Sequence, residues 1–210
     1  MIALEPNLPA PTTLKQKAKY YFGSCASKEC YKFQFLLRKT EYYLNCSKSH
    51  LGQAYAAYLW YQLNRAGLKL GFEINPNCFG PGLAITHPGT IIVNNKTQIG
   101  ANCRIHPGVI IGIGAGRSEK MPIIGDNVFI GPGAKIFGNI IIADGIAIGA
   151  NSVVNSSFLE PGITIAGAPA RKVSNKGSKN LLVNATEIWK QKRLGLRQNM
   201  PSNVECEVTL

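Results

Sequence analysis

The chain has 210 residues, of which 45% are hydrophobic and 16% charged, and its formal net charge is +12. This hydrophobic fraction supports a sizeable core and argues against a disordered chain. No apolar run approaches the ~18 residues of a membrane span, and residues 1–11 lack the apolar stretch of a signal peptide. The length allows one large domain, or one domain with a smaller helical attachment, and we expect a cytoplasmic protein.

The excess positive charge lies outside the middle of the chain. Residues 1–70 carry ten Lys and Arg against three Asp and Glu, whereas residues 71–173 carry seven against five. A basic surface suits polyanionic partners, such as nucleic acid, anionic lipid or a phosphorylated cofactor, or simply keeps the protein soluble. Because the chain has no zinc knuckle or aromatic RNA-binding signature, we expect no nucleic-acid partner. Contact with a membrane surface is compatible with the charge, but no motif supports it.

The cysteine spacing matches no metal site, because no two cysteines form a C-x-x-C pair. We therefore expect no metal, and free thiols in a reducing compartment. Cys103 falls within the repeat described below and is predicted to be a small core filler. The six cysteines are Cys25, Cys30, Cys46, Cys78, Cys103 and Cys206.

Residues 1–71 are predicted to form an N-terminal helical region, with helical periodicity from about Thr12 to Leu70. The clearest helix spans Ser49–Leu70 and ends near Gly67 and Gly71. Its apolar residues at helical spacing are Leu51, Ala54, Tyr55, Tyr58, Leu59 and Leu63. A second helix is predicted near Cys30–Leu44. Its core or interface residues are Phe33, Leu36, Leu37 and Tyr43.

A six-residue repeat occupies the middle of the chain. The repeated aliphatic positions are Val93, Ile99, Ile105 and Ile111, followed after one break by Ile124, Ile130, Ile136, Ile142, Ile148 and Val154. Ten aliphatic residues in one register indicate an internal hexapeptide repeat. Small or apolar residues usually follow four positions later, at Thr97, Cys103, Val109, Ala115, Val128, Ala134 and Ser152.

Such a repeat predicts a mainly β domain over residues 72–174. Three short strands form one triangular coil, the repeated aliphatic residue points inward, and successive coils stack with ladder spacings of ~4.8 Å. Residues 18 apart are then expected to lie one above another. The spacing alone leaves the hand of the coil open, since ordinary parallel crossovers are right-handed.

The repeat is interrupted once and then ends. From Ile111 to Ile124 the spacing is thirteen residues, one more than two hexapeptides, and the segment Ile113–Pro122 is polar. We predict a loop that projects from the coil at this point and that is either functional or a tolerated insertion. Beyond residue 174, a basic tail (175–210) is expected, with a linker-like stretch at Asn175–Asn180, a short helix at Leu181–Arg197 and a frayed end from residue 201.

Residues Phe72–Ser174 resemble the serine acetyltransferase branch of the hexapeptide acyltransferases. They are most similar to the short serine acetyltransferase-like proteins encoded with surface-polysaccharide genes. The matching stretches are GLAITHPGTIIV (82–93), IGANCRIHPGVIIG (99–112), IGDNVFIGPGAKIFGNI (124–140), IGANSVV (148–154) and AGAPARKVS (166–174). The resemblance implies a left-handed parallel β-helix. It also implies a homotrimer or a dimer of trimers, with acetyl-CoA in the groove between neighbouring β-helices.

An acceptor hydroxyl attacking a thioester needs a base near neutral pH, and histidine suits this role. The chain has three histidines, His50, His87 and His106. With Ile85 opening a hexapeptide, His87 falls two residues later and points outward at a coil corner. It matches the family's catalytic histidine in ITHPGT. His106, nineteen residues after His87, is expected near the same edge, where it either lines the acceptor site or caps the coil.

The resemblance assigns the remaining site residues. Glu73 aligns with an acid that orients the catalytic histidine, although it is longer than the family's aspartate. The positions aligned with cofactor contacts are Gly112, Gly114, Pro132, Gly133 and Ala150. Lys135, Arg171 and Lys172 are candidates for the CoA phosphates, with solvated charge as the alternative and the better one for Lys135.

Three departures from the family pattern bear on the acceptor. Thr86 replaces the acid before the catalytic histidine, and Lys120 with Met121 replaces an Arg-His pair. A zwitterionic acceptor needs charged partners, because an unpaired buried charge is costly. Lys120 is available for a carboxylate, whereas a neutral sugar would need fewer charges.

The sequence therefore predicts an acetyl-CoA-dependent O-acetyltransferase of the serine acetyltransferase type, with serine or a sugar as acceptor. One alternative is a sugar O-acetyltransferase in surface-polysaccharide biosynthesis, and another is a non-catalytic trimeric scaffold. A β-helical carbonic anhydrase is disfavoured, because it needs three metal-binding imidazoles, usually with one pair five positions apart.

Overall fold

The structure is a computed structural model that describes residues 25–114 and 120–198. Three predicted features lie wholly or partly outside these ranges. They are the first part of the N-terminal helical region, the middle of the loop after Gly114, and the frayed end. No described helix is long and apolar enough to cross a membrane.

Two helices begin the described chain, α1 (Cys25–Cys46) and α2 (His50–Leu70). Ser49 caps α2 at its start, where its hydroxyl accepts a hydrogen bond from the Gly52 N–H at 3.1 Å. Gly71 ends α2 in the left-handed conformation, at φ 78°, and its N–H bonds to the Gly67 carbonyl. Both predicted helices are thus confirmed.

The apolar residues of α2 lie on two opposite faces of the helix. The face that packs against the rest of the chain consists of Ala56, Leu59, Leu63 and Gly67. Leu51 and Tyr58, which the sequence placed at helical spacing with Leu59 and Leu63, are 86% and 55% exposed. They belong to a second row on the opposite side, here called the α2 stripe, which alternates spacings of three and four. The α2 stripe comprises Leu51, Ala54, Tyr58, Tyr61, Arg65 and Leu68.

Fourteen short strands follow within the described ranges. They are β1 (Phe72–Ile74), β2 (Ala84–Ile85), β3 (Ile91–Val93), β4 (Gln98–Ile99), β5 (Arg104–Ile105), β6 (Val109–Gly112), β7 (Ile123–Ile124), β8 (Phe129–Ile130), β9 (Lys135–Phe137), β10 (Ile141–Ile142), β11 (Ala147–Ile148), β12 (Val153–Val154), β13 (Thr164–Gly167) and β14 (Ala170–Ser174).

These strands form three sheets that the chain visits in rotation. Sheet 1 has the order β1-β3-β6-β9-β12, sheet 2 has β4-β7-β10, and sheet 3 has β2-β5-β8-β11-β13-β14. All pairings are parallel except that of β13 with β14. The chain therefore winds as a three-sided parallel coil. All ten repeated aliphatic residues are at most 5% exposed, as the period predicts.

The stacking interval is 18 residues only in the regular coils. It is 18 between β3 and β6 and between β8 and β11, but 25 between β6 and β9. The segment between Ile111 and Ile124 therefore joins sheet 1 to sheet 2, as the six-residue step from Val93 to Ile99 does, and adds seven residues to that connection, rather than adding one residue to two hexapeptides. The strand register thus confirms an insertion at the predicted loop, whose middle, residues 115–119, lies outside the described residues.

Helix α1 covers the first edge of sheets 2 and 3. Gln34 is 4% exposed, accepts a hydrogen bond from the Ile85 N–H at 3.1 Å, and donates to the Ile85 carbonyl at 3.4 Å. Arg38 donates to the carbonyls of Phe79 and Gly80 at 2.8 and 2.5 Å. These side chains satisfy backbone groups that an edge strand would leave unpaired.

The opposite end of sheet 3 is closed by the hairpin of β13 and β14, which turns at a cis Ala168–Pro169 bond. The stretch after it was wrongly predicted to be a linker. Ser178 is 1% exposed, and its N–H donates to the Gly145 carbonyl at 2.9 Å. Asn102 donates to Asn184 and Thr186 at 3.1 and 2.8 Å, which holds the tail along a coil corner before helix α3 (Ala185–Gln198).

Candidate functional site

The two histidines of the repeat region lie on one edge of the coil. This histidine edge, where the chain passes from sheet 3 to sheet 1, consists of the turns at residues 86–90, 106–108, 131–134 and 149–152. His87 and His106 occupy the first two turns. The charge of the His87 imidazole contributes to lowering the pKa of His106.

The turn that carries His87 is longer than the turn of the next coil. Ile85 pairs with Ile105, twenty residues later, whereas Ile91 pairs with Val109, eighteen residues later. The His87 turn therefore contains two additional residues. As predicted, Ile85 points inward, with 4% exposure, and His87 is exposed. The expected placement of His106 is refined, because the strand register aligns it with Thr86 rather than with His87.

His106 is half-buried and fixed by its neighbours. Its Nδ1 lies 3.0 Å from the Ile130 carbonyl oxygen, and its ring lies 4.9 Å from the Phe129 ring. Because a carbonyl only accepts, the neutral ring carries its proton on Nδ1 and leaves a lone pair on Nε2. Burial lowers the pKa of His106; the bond to Ile130 opposes this, and the charges of Arg104 and His87 lower it further. The neutral form is therefore favoured.

Thr86 is half-buried beside these histidines. Its Oγ1 is buried and has no hydrogen-bond partner among the described residues. Thr97, at a different coil corner, shares this property. A buried hydroxyl without a partner is destabilising by about 1–3 kcal/mol, so Thr86 is a candidate for a bond to a bound molecule.

Glu73 and Lys120 are both exposed, but the structure defines their relation to the histidines only in part. Glu73 lies in the middle of β1, in register with Ile92. Within the described ranges, no hydrogen bond or ion pair joins Glu73 to His87, so its orienting role stays a prediction. Lys120 is the first described residue after the loop and makes an interaction of its own.

The two glycines before the loop differ in their surroundings. Among the described residues, a Cβ on Gly112, at the end of β6, would come no closer than 4.0 Å to a neighbouring atom, the Cβ of Asn94. The space beside the Gly112 backbone is therefore open, within the described part of the chain, to a slender ligand. A Cβ on Gly114 would lie 3.2 Å from the Gly138 Cα, so Gly114 is also constrained by packing within the chain.

The backbone groups of the third turn are already used in stacking the coils. The Gly133 N–H donates to the Pro107 carbonyl at 2.9 Å, and the Pro132 carbonyl accepts from the Asn151 N–H at 2.8 Å. Gly133 has φ of 75°, a conformation that favours glycine. Stacking therefore accounts for these two residues without a cofactor. Ala150 is exposed on the fourth turn.

Of the three candidate phosphate-binding cations, Lys135 lies on β9, whereas Arg171 and Lys172 are neighbours on β14. The Lys135 ammonium donates to the Gly108 carbonyl, on the turn that carries His106. Lys172 forms an ion pair with Glu160 at 2.5 Å, and Arg171 donates to the Ala170 carbonyl at 2.8 Å. Arg171 and Lys172 are exposed on β14, so this ion pair must open before Lys172 binds a phosphate.

The sequence did not identify the residues that hold His106. Ile130 is 24 positions from His106, because the loop of unpredictable length intervenes. Cys103 behaves as predicted, being fully buried, and burial raises the pKa of its thiol to about 12. Across residues 25–114 and 120–198, no group of three His, Cys, Asp or Glu side chains is placed to hold a metal ion.

Comparison with curated proteins confirms the resemblance of the coil to serine acetyltransferases. The chain is 38% identical over 106 residues to the serine acetyltransferase of Helicobacter pylori strain J99, which covers 50% of this chain and 61% of that protein. It is 40% identical over 109 residues to that of Staphylococcus xylosus, covering 51% and 50%. The chain thus spans about half to three-fifths of these relatives. No protein-family model matches it.

Solved structures give the same result. A serine acetyltransferase from Brucella abortus in complex with coenzyme A has a TM-score of 0.58 and 29% identity, covering 72% of this chain and 58% of that one. The Neisseria gonorrhoeae serine acetyltransferase in complex with serine has a TM-score of 0.56 and 29% identity, covering 78% and 62%. The similarity therefore extends beyond the region aligned by sequence.

Proposed function

We propose that this protein transfers an acetyl group from acetyl-CoA to a hydroxyl of a small-molecule acceptor, as an O-acetyltransferase of the serine acetyltransferase type. The observation that carries the proposal is the exposed His87 on the histidine edge, in a coil similar to serine acetyltransferases. We assign His87 as the base and Glu73 as the residue that orients it. Thr86, His106 and Lys120 are assigned to the acceptor.

The reaction needs no covalent intermediate on the protein. The acceptor oxygen attacks the thioester carbonyl carbon while His87 takes the hydroxyl proton. The new C–O bond forms, the C–S bond breaks, and the proton returns to the departing thiolate, giving CoA and an acetyl ester. A positioned base of this kind contributes roughly 10²- to 10⁴-fold to the rate.

Acetyl-CoA is assigned to the surface between the loop and the third and fourth turns of the histidine edge. Gly112 supports this by leaving open space beside the backbone. Gly114, Pro132, Gly133 and Ala150 would contact the cofactor through side-chain or remaining backbone surface. Arg171 and Lys172 would meet its phosphates, and we assign the Lys135 ammonium to the acceptor side because of its bond to Gly108.

The full architecture follows from the same resemblance. We propose a left-handed coil over residues 72–174, preceded by the helical region 1–71 and followed by the tail 175–210. The protein would act in the cytoplasm as a homotrimer or a dimer of trimers. Ile123 and Ile141 support a trimer, because they are in register on sheet 2 and 47% and 48% exposed. We call this pair the isoleucine face.

The role of His87 is tested by comparing two histidine substitutions. His87→Ala should lower CoA release in the presence of acceptor by about 10²- to 10⁴-fold. His50→Ala is the matched control, because His50 is exposed at the start of α2 and should retain full activity. Thiol release from acetyl-CoA is measured for both variants, with the unfolding temperature as a check on folding.

Full activity of His87→Ala would contradict the proposal. Absence of CoA release from the unsubstituted protein with every acceptor would favour the non-catalytic trimeric scaffold instead. In that case, retained binding of acetyl-CoA would show that the groove exists without the chemistry.

A further inference from the structure

We propose that the acceptor is a neutral polyol, a sugar with neighbouring hydroxyl groups, and that His106 with Thr86 binds a second hydroxyl of it. This inference rests on the proposed function, in which His87 takes the proton from the reacting hydroxyl. It assigns His106 and Thr86 as the residues that decide which acceptor is used.

The first support is the pair of hydrogen-bonding groups that the fold leaves unused. The bond from Nδ1 to Ile130 fixes the His106 ring and leaves the Nε2 lone pair as an acceptor. Thr86 and His106 directly follow the register partners Ile85 and Ile105, and the Thr86 hydroxyl has no hydrogen-bond partner among the described residues. Rotating this hydroxyl about the Cα–Cβ bond towards a bound molecule therefore breaks no hydrogen bond with the described residues.

These two groups, one hydrogen-bond acceptor and one donor, match the hydrogen-bonding capacity of an alcohol. A sugar hydroxyl can donate its hydrogen to the Nε2 of His106 and accept one from the Thr86 hydroxyl. An ammonium group offers only donors, so it would leave the Thr86 hydrogen without an acceptor. The pair therefore suits a hydroxyl group better than the α-amino group of an amino acid.

The second support is the charge around the histidine edge. Its four turns contain no Asp or Glu. Two cations lie beside the His106 turn, since Lys135 bonds to the Gly108 carbonyl and Arg104 directly precedes Ile105 in β5. An α-ammonium placed there would be repelled, whereas a neutral hydroxyl would not.

The test compares acceptors under identical conditions. Acetyl-CoA is incubated with methyl α-D-glucopyranoside, N-acetyl-D-glucosamine or L-serine, and both thiol release and the mass of the acetylated product are recorded. We expect at least one of the two sugars to have a kcat/KM at least tenfold higher than that of L-serine.

Two substitutions of similar size then test His106. His106→Leu removes the hydrogen-bonding atoms and should raise the KM for the sugar by about 10- to 100-fold. The KM for acetyl-CoA should not change. His106→Gln can place a carboxamide near the position of Nε2 and should restore part of the sugar affinity. A purely structural role for His106 would not separate the two KM values.

The results distinguish this inference from the proposed function. Serine used as well as, or better than, both sugars would overturn the inference and leave acetyl transfer standing. No CoA release with any of the three acceptors would overturn both. An unchanged sugar KM in a folded His106→Leu variant would overturn the role of His106.

Discussion

Thr86 and Thr97 present the same local defect in two places. Each has a buried Oγ1 that makes no hydrogen bond within the described chain. Only Thr86 lies on the histidine edge, so only there would a bound acceptor supply the missing partner. A threonine that binds the acceptor can be distinguished from one that is only imperfectly packed. Removing the unpartnered hydroxyl lowers activity in the first case and not in the second.

Replacing each threonine by valine tests this distinction. Thr86→Val and Thr97→Val both remove an unpartnered hydroxyl and should stabilise the fold by about 1 kcal/mol. Thr86→Val should also lower kcat/KM for the sugar acceptor by about tenfold, whereas Thr97→Val should leave it unchanged. Denaturant unfolding and CoA release are measured for both. Equal activities would show that Thr86 contributes nothing to acceptor binding.

Helix α1 is joined to β2, the first strand of sheet 3, through the buried side-chain amide of Gln34. Gln34 bonds to both backbone groups of Ile85, two residues before His87. The helix thereby holds the strand from which the His87 turn departs. Stability and site geometry are thus coupled at the level of this element.

Gln34→Leu should destabilise the protein by about 1–3 kcal/mol, because the Ile85 N–H would stay buried without a partner. Gln53→Leu, at an exposed position in α2, is the matched control and should change the free energy of unfolding by no more than about 0.5 kcal/mol. Urea denaturation of both variants provides the measurement. Similar stabilities would mean that the edge of sheet 3 is satisfied in another way.

The sequence predicted the regular part of the coil because one aliphatic residue marks each side. That marker fails near His87. Six residues before Val93 lies His87 itself, so strict periodicity would place the histidine inside the coil. The two additional residues in its turn put Ile85 in the inward position instead. Only the inward preference of an isoleucine over a histidine indicated this.

The parts that were not predictable depend on contacts between distant segments. The packing of α2 could not be derived because both its buried face and the α2 stripe contain apolar residues at helical spacing. The docking of the tail depends on polar residues such as Asn102 and Ser178, which also occur in free linkers. In both cases, the sequence pattern fits two structures and tertiary packing decides.

At the scale of the whole molecule, we assign the two exposed apolar surfaces to the two proposed levels of assembly, the trimer and the pair of trimers. Charged substitutions should separate them. Ile123→Asp combined with Ile141→Asp, on the isoleucine face, should convert trimers to monomers and abolish transfer at a shared groove. Leu51→Asp combined with Tyr58→Asp, on the α2 stripe, should dissociate only pairs of trimers and leave activity intact. Analytical ultracentrifugation measures the masses, and unchanged masses for both variants would contradict this division.

The two ends of sheet 3 differ from its middle in how their backbone groups are paired. At one end, the amide of Gln34 occupies the backbone of Ile85, and at the other, β14 runs against the direction of the sheet. A stack of parallel rungs with bare ends would invite further copies to add end to end. The parallel repeat of this sheet therefore ends within a single chain, in a side-chain cap at Ile85 and in the antiparallel strand β14.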